Sequence, residues 1–89
     1  MKLNYKIRVA GRVQGVGFRF ETKRMARVYG LKGFVKNLPD GSVLIEAEGE
    51  EEQLRNFILW CKKGPAHARV DEVFTEEGEI RFYDFFDIR

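Results

Sequence analysis

Hydrophobic and polar positions alternate near the start of the chain and then change period. Every second residue is apolar in a first predicted strand, at Tyr5, Ile7 and Val9. From residue 18 to residue 29 the spacing becomes helical, and one face carries Phe18, Thr22, Met25, Ala26 and Tyr29. The pattern therefore predicts a half-buried strand followed by an amphipathic helix, and Gly30 is placed to end that helix.

Strict alternation returns after this helix. Residues 33–38 are predicted to form a second strand, and the sequence Pro39-Asp40-Gly41 is a strong turn signal. Residues 42–48 alternate again, with Val43, Ile45 and Ala47 on one face. The two strands and the turn between them predict a β-hairpin that ends at Gly49.

A second amphipathic helix is predicted after Gly49. Its apolar stripe has the i, i+3, i+4, i+7 spacing of Leu54, Phe57, Ile58 and Cys61. Glutamates at 50–52 favour its N-terminus, lysines at 62 and 63 favour its C-terminus, and Gly64-Pro65 ends it. We expect a fourth strand over residues 69–75, a turn over 76–79 and a last, aromatic-rich strand over 82–88.

The predicted order of elements is β-α-β-β-α-β with one further strand. This order predicts an α+β fold of the ferredoxin-like α/β sandwich type, with an antiparallel sheet and both helices on one of its faces. The sequence shows no repeat, linker or low-complexity tract, so residues 1–89 are predicted to form a single domain.

Composition and charge narrow the range of functions. The formal net charge is only +2 and charges of both signs are mixed along the chain, unlike the concentrated basic face of nucleic-acid-binding proteins. No apolar run approaches the ~20 residues that span a bilayer, and the first residues do not resemble a signal peptide. The single cysteine, Cys61, excludes an internal disulfide and suits a reducing cytoplasm. We therefore expect a cytoplasmic protein with no nucleic-acid or membrane partner.

Three glycines fall within the seven residues from Gly11 to Gly17, between the first strand and the first helix, and Arg19 follows them. Successive amides of such a loop form an anion-binding concavity, and an arginine fork suits phosphate or carboxylate. The loop lacks the Gly-Lys-Ser/Thr ending of a Walker A motif, and Phe20 occupies the third glycine position of a dinucleotide fingerprint. The pattern fits a cradle for one phosphoryl group, and it fits equally a tight turn with an exposed arginine.

Other candidates for chemistry are few. His67 is the only histidine, Cys61 continues a helix stripe, and Ser42 belongs to a turn, so nucleophilic catalysis and metal binding have little support. Asn37 stands out because asparagine is disfavoured inside a strand. It either begins the following turn or lies near the glycine loop, where the topology brings the end of its strand.

Two longer motifs carry a resemblance to a known family. Gly11-Arg-Val-Gln-Gly-Val-Gly-Phe-Arg19 and Gly30-Leu-Lys-Gly-Phe-Val-Lys-Asn37, followed by Asp40-Gly41, resemble the two signatures of the acylphosphatases. The resemblance covers nearly the whole chain. It implies a ferredoxin-like enzyme that hydrolyses the carboxyl-phosphate anhydride of acyl phosphates without a metal or other cofactor.

The resemblance also implies roles for individual residues. Arg19 corresponds to the family's phosphate-binding arginine and Asn37 to its water-orienting asparagine. The implied phosphate loop is made of the backbone amides of Gln14, Gly15, Val16, Gly17, Phe18 and Arg19. Phe34 stands where tryptophan is common in the family, and Glu21 where an aromatic residue is frequent. We expect a monomer whose partners are an acyl phosphate substrate and inorganic phosphate, which acts as product and inhibitor.

Two alternatives remain. RNA-recognition domains share the order of elements, and Lys32-Gly-Phe-Val35 resembles part of their RNP1 motif, but it lies on the second strand and the third strand carries no aromatic residue. An acylphosphatase-like domain acting on carbamoyl phosphate within a larger maturation protein is the other alternative. The chain has no zinc-ribbon cysteines, and this favours a free-standing enzyme.

Overall fold

The computed structural model describes residues 1–89 and shows one five-stranded sheet with two helices packed on one face. In chain order the elements are β1 (Lys2–Arg12), α1 (Phe18–Val28), β2 (Lys32–Asn37), β3 (Val43–Glu50), α2 (Glu51–Lys63), β4 (Arg69–Gly78) and β5 (Phe86–Ile88). The predicted ferredoxin-like order is confirmed. Neither helix is long and apolar enough to cross a membrane.

The sheet has the strand order β4-β1-β3-β2-β5. β3 lies at its centre, β1 pairs antiparallel with β3 and β4, and β2 pairs antiparallel with β3. β5 instead runs parallel to β2, so the sheet is mixed and not antiparallel throughout as predicted. The reason is that β5 does not return from β4 as a hairpin. The chain first crosses the sheet and then enters its opposite edge.

Both elements at the end of the chain differ from their predicted bounds. The expected turn at residues 76–79 is wrong, because β4 continues to Gly78, which pairs with Asn4 of β1. β4 is an edge strand, and exposed edges tolerate the glutamates that made this stretch resemble a turn. The last strand is shorter than predicted, since only residues 86–88 pair with β2.

Residues 80–85, which we call the crossing segment, run over the face of the sheet opposite the helices. The backbone N–H groups of Arg81 and Tyr83 both donate to the carboxylate of Glu48, which also accepts from Asn4 Nδ2 at 2.9 Å. The Tyr83 hydroxyl donates to Glu46. The N–H groups of Arg81 and Tyr83 thus bond to buried side chains, and the segment bonds to a strand only at its end, where the Phe85 carbonyl accepts from Gly33 N–H at 3.0 Å.

The hydrophobic core lies between the sheet and the helices. Its members include Ile7, Val9, Phe18, Ala26, Val35, Val43, Ile45, Leu54, Phe57 and Cys61. The alternating strand positions and the two helical stripes therefore face one another, as predicted. Thr22 is also fully buried, and its hydroxyl donates to the carbonyl oxygen of Phe18 at 2.7 Å, which satisfies the polar group within the helix.

The ends of the elements beside the glycine loop follow their sequence signals. α1 stops at Val28, one residue before the predicted end, and the Leu31 N–H closes the helix by donating to the Ala26 carbonyl at 2.8 Å. In the hairpin turn, Gly41 N–H donates to the Leu38 carbonyl at 3.1 Å. The predicted helix end at Gly30 and the predicted hairpin turn are therefore both present.

Gly11 belongs to β1 and not to the loop, contrary to the prediction. The register of β1 against β4 shifts between Ala10 and Gly11, and Gly11 has a φ of 136°. A Cβ atom here would collide with the carbonyl oxygen of Arg69 on β4. This glycine allows close approach of two strands at a bulge, and the loop begins after Arg12.

Candidate active site

The loop between β1 and α1 turns on two glycines. Gly15 and Gly17 have φ values of 74° and 79°, and Gly17 is the N-cap of α1. A Cβ atom at either position would meet nothing within 4 Å, so these glycines are needed for their backbone conformation and not for space. Their left-handed conformation turns successive amide groups toward one side, which is the geometry of an anion-binding nest.

The backbone donors of this loop are unused within the chain. No N–H of residues 14–17 donates to another group of the protein. The helix begins with the bond from Glu21 N–H to the Gly17 carbonyl at 3.1 Å, so the N–H groups of residues 18–20 have no acceptor within the helix. Consecutive free donors at a helix N-terminus form a site for an anion, favoured also by the helix dipole.

Arg19 lies in the first turn of α1 with its side chain exposed. Its guanidinium makes no ion pair with any Asp or Glu side chain, and its one hydrogen bond is to the main-chain oxygen of Arg89 at 3.4 Å. No acidic side chain therefore neutralises the positive charge of Arg19. It is available to an anion held by the loop amides.

Asn37 is the last residue of β2, next to the hairpin turn. Its side-chain oxygen, Oδ1, is buried and has no hydrogen-bond partner, the only buried side-chain polar atom of the protein in this state. Buried polar groups are nearly always paired, because leaving one unsatisfied costs about 1–3 kcal/mol. An unused buried acceptor is thus a feature that folding alone does not explain.

A cleft of about 210 Å³ brings these features together. It is lined by Val13, Gly15, Gly17, Phe18, Arg19, Phe20, Asn37 and Ile88. The topological inference that the end of β2 lies near the loop is correct. The volume is below the ~300–1,000 Å³ of sites for drug-sized ligands, so it suits a phosphoryl group with a water molecule better than a nucleotide. No acidic side chain lines the cleft, so Arg19 sets its charge.

Sequence reasoning missed three apolar residues of the cleft: Val13, Phe20 and Ile88. Ile88 reaches it only because β5 pairs with β2, and no local signal predicts this.

Two residues of the predicted phosphate loop do not line the cleft. The side chain of Gln14 instead donates to the carbonyl oxygens of Leu38 and Ser42 at 2.8 and 2.9 Å. Val16 packs against the hydrophobic core. Gln14 and Val16 can therefore contribute to anion binding only through their backbone amides.

Glu21 does not oppose an anion in the cleft. Its carboxylate accepts two hydrogen bonds from the Arg24 guanidinium, each at 3.0 Å. The hydrogen bonds and charge of Arg24 lower the pKa of Glu21 below its ordinary value, so its negative charge is held on the helix surface and neutralised there. The departure from the family pattern at this position therefore leaves the charge of the cleft positive.

The other candidate groups do not form a second reactive site. Burial raises the pKa of the Cys61 thiol far above its ordinary value, which makes it unreactive, and His67 lies exposed in the loop after α2. The hydroxyl and N–H of Ser42 both donate to Asp40 Oδ1, as expected of a turn residue. No three His, Cys, Asp or Glu side chains are grouped so that they could hold a metal ion.

The RNP1-like fragment does not present a base-stacking surface. Phe34 is only 7% exposed. The ring of Tyr83, in the crossing segment, packs edge-on against the Phe34 ring with centroids 6.1 Å apart. The Arg89 guanidinium lies 4.3 Å from the centroid of the Phe34 ring. The face of the sheet that RNA-recognition domains use for stacking is therefore covered here.

Comparison with known proteins agrees with the geometry. A family model described as Acylphosphatase matches residues 5–88. The acylphosphatase of Thermotoga maritima is 51% identical over 84 residues, covering 94% of this chain and 93% of that protein. The crystal structure of acylphosphatase from Bacillus subtilis superimposes with a TM-score of 0.95 at 40% identity, covering 98% of both chains. HypF from T. kodakarensis matches with a TM-score of 0.85 at 41% identity, but this chain spans only 12% of its length.

Proposed function

The chain belongs to the acylphosphatase family and hydrolyses the carboxyl-phosphate anhydride bond of acyl phosphates, and we propose that Arg19, Asn37 and the amides of the β1–α1 loop carry this reaction. The observation that supports these roles most directly is the cleft itself. It combines free backbone donors, a guanidinium without an acidic side-chain partner and a buried unpaired oxygen within one small volume. Each is a group that folding leaves unused and that the reaction requires.

Phosphate binding is assigned to the loop and Arg19. The amides of residues 14–19 and the N-terminus of α1 donate to the phosphoryl oxygens, and the Arg19 fork adds a charge-assisted pair of hydrogen bonds. The same donors stabilise the negative charge on the equatorial oxygens as the bond to the leaving group breaks. The cleft is thus proposed to supply electrostatic stabilisation without a covalent intermediate.

Water positioning is assigned to Asn37. Its unpaired Oδ1 accepts a hydrogen bond from the attacking water and holds it in line with the breaking P–O bond. Water adds its oxygen to phosphorus, the P–O bond to the acyl group breaks, and the products are a carboxylate and inorganic phosphate. The cleft contains no carboxylate or imidazole to act as base, so a phosphoryl oxygen of the substrate takes the proton of the water.

The absence of an acid in the cleft predicts substrate class. A carboxylate is a weakly basic leaving group and departs without protonation, whereas an alkoxide requires a general acid. The enzyme is therefore proposed to act on acyl phosphates and not on alkyl phosphate monoesters. It is also proposed to need no metal, because the loop amides and Arg19 provide the charge stabilisation that a metal provides in other phosphoryl-transfer sites.

Phosphate release from acetyl phosphate, compared with release from glycerol phosphate, tests this proposal. We expect turnover of acetyl phosphate that is unchanged by excess EDTA, and no turnover of the monoester above background. Comparable hydrolysis of both substrates would contradict the roles assigned here. Activity that EDTA removes and a divalent cation restores would contradict metal independence.

The proposal also covers the oligomeric state, location and domain organisation of the enzyme. The enzyme is proposed to act as a monomer, because the loop amides, Arg19 and Asn37 of a single chain account for every role assigned above. The buried free thiol of Cys61 supports a cytoplasmic location, where thiols stay reduced. Residues 1–89 are proposed to act as a single catalytic domain, since one core joins both helices to the sheet.

A further inference from the structure

A second depression lies directly beside the cleft, along the outer face of α1. It has a volume of about 530 Å³, and its walls are Phe20, Lys23, Arg24, Arg27, Val28 and Ile88, which we call the α1 groove. Five of these residues fall at positions i, i+3, i+4, i+7 and i+8 of one helix, so they share one face. This face is opposite the stripe that packs into the core, and packing does not explain its composition.

The α1 groove and the cleft share two walls. Phe20 and Ile88 line both of them. For a phosphoryl group bound at the loop, the α1 groove therefore lies directly beyond the side chains of Phe20 and Ile88. The cleft is sized for the phosphoryl group, so the acyl part of a substrate has to extend out of it. The α1 groove is the adjoining surface with room for that part.

The apolar side chains of the α1 groove are unusually exposed. Phe20 is 66% and Val28 64% exposed, and Ile88 is 36% exposed. Neither helix residue contributes to the hydrophobic core. Together they offer an apolar surface next to the reacting group, on which a hydrocarbon or aromatic acyl body would bury area.

The charges of the α1 groove have one sign. Arg24 is occupied by its paired hydrogen bonds to Glu21, but Lys23 and Arg27 form no ion pair. No acidic side chain lines the groove. Two unpaired cations beside an apolar surface are complementary to a ligand with an apolar body and a distal negative charge.

We infer that the α1 groove binds the acyl part of the substrate and favours acyl phosphates that carry a second anionic group at the end distant from the phosphate. This inference rests on the proposed function, and it adds a preference within the class of acyl phosphates. Phe20, Val28 and Ile88 contact the body of the acyl group, and Lys23 and Arg27 attract its distal charge. The loop and Arg19 bind only the phosphate, so they cannot distinguish one acyl group from another.

Three substrates separate the contributions. Para-carboxybenzoyl phosphate has an apolar ring and a distal carboxylate. Para-carbamoylbenzoyl phosphate has the same shape without the charge, and acetyl phosphate is too small to extend along the α1 groove. We expect the wild-type enzyme to show a KM about two- to fivefold lower for the carboxylate than for the amide, the size of one or two exposed charge pairs. The difference should shrink as salt is added.

The double variant Lys23→Gln/Arg27→Gln tests which charges select the substrate. We expect it to remove the preference for the carboxylate over the amide. Lys62→Gln/Lys63→Gln is the matched control, because it removes two exposed positive charges from α2, outside the α1 groove. The control should keep the preference and so show that net charge alone is not responsible. Val28→Ser should raise the KM of both aromatic substrates by a similar factor.

The possible failures are distinguishable. If the wild-type enzyme does not hydrolyse acetyl phosphate, the proposed function fails. If it does, but treats the carboxylate and the amide alike, or if the double variant keeps the preference, the α1 groove does not bind the acyl group. Equal loss of preference in the control would also overturn the inference. A dimer that dissociates in the double variant, with substrate preference unchanged, would assign the α1 groove to contact between two copies of the chain.

Discussion

The side-chain amide of Gln14 donates a hydrogen bond to the carbonyl oxygen of Leu38 at 2.8 Å, and so links the β1–α1 loop to the residue that follows Asn37. The same amide donates to the Ser42 carbonyl at 2.9 Å. Both of its N–H donors are thus used to join the end of β1 to the turn between β2 and β3. These bonds predict that Gln14 is a positioning residue, which fixes the distance between the loop and Asn37.

Replacing Gln14 by methionine tests this link. Gln14→Met keeps the length of the side chain but removes both donors, so we expect a loss of about 1–3 kcal/mol in the free energy of unfolding. We also expect kcat for acetyl phosphate to fall while the inhibition constant of phosphate stays close to wild type, because the loop amides remain. A lower melting temperature with unchanged kcat would make Gln14 a structural residue only.

Arg19 is expected to tolerate no substitution. Arg19→Ala removes the positive charge of the cleft, so both KM and kcat for acetyl phosphate should worsen. Arg19→Lys should recover little activity, since an ammonium group cannot reproduce the planar fork. Steady-state kinetics on both variants gives the result. A lysine variant with kcat/KM near the wild-type value would contradict paired hydrogen bonding by the guanidinium.

Inorganic phosphate should stabilise the folded enzyme and compete with substrate. It binds the loop of the folded chain and not the unfolded chain, so the melting temperature rises with phosphate concentration. Chloride at matched ionic strength is the control. A melting temperature that responds equally to both salts would contradict the placement of the phosphate site. Inhibition by phosphate that is not competitive with acetyl phosphate would contradict its overlap with the substrate.

Glu48 makes the stability of the fold depend on acid pH. Burial alone raises the pKa of Glu48, but hydrogen bonds from the Arg81 and Tyr83 N–H groups and from Asn4 outweigh it, so the pKa lies below the ordinary value of 4.5. The unfolded chain therefore binds its proton first as the pH falls. The stability from this carboxylate is fully present above about pH 4.5 and is lost as the pH drops through the lowered folded-state pKa.

Thermal melts between pH 3 and pH 7 measure this effect. The wild-type melting temperature should decrease on the acid side, and Glu48→Gln should be less stable at neutral pH with a weaker dependence on acid pH. Tyr83→Phe is a useful comparison, because it keeps the backbone bond to Glu48 and removes only the hydroxyl that contacts Glu46. Identical pH profiles for wild type and Glu48→Gln would contradict the account.

The sequence predicted those features that depend on local patterns. Helix stripes, the Pro39-Asp40-Gly41 turn and the glycine-rich loop before α1 follow from residues close together in the chain. The mixed sheet and the crossing segment were not predicted, because the partners of the Arg81 and Tyr83 N–H groups lie more than thirty residues away on β3. Phe82, Tyr83 and Phe85 have high strand propensity, yet they lie outside the strands because tertiary bonds override it here.

The candidate site likewise combines features that local sequence predicts with features that only the fold reveals. A glycine-rich loop before a helix predicted an anion cradle, and an asparagine inside a strand drew attention to Asn37. The unpaired state of its Oδ1, the lack of an acidic side chain beside Arg19 and the wall formed by Ile88 are visible only in three dimensions. These are the properties that turn a resemblance between motifs into an arrangement of groups with assigned roles.

The central claim is that Asn37 positions water and does not hold phosphate, and the kinetics of Asn37→Ala test it most directly. We expect kcat for acetyl phosphate to fall by about 10²-fold or more, as for other precisely placed polar groups. The inhibition constant of phosphate should remain within about twofold of wild type, and the melting temperature should not fall, because the lost oxygen has no partner in the fold. A variant that melts at a lower temperature and keeps near wild-type kcat would instead show that Asn37 serves only the turn.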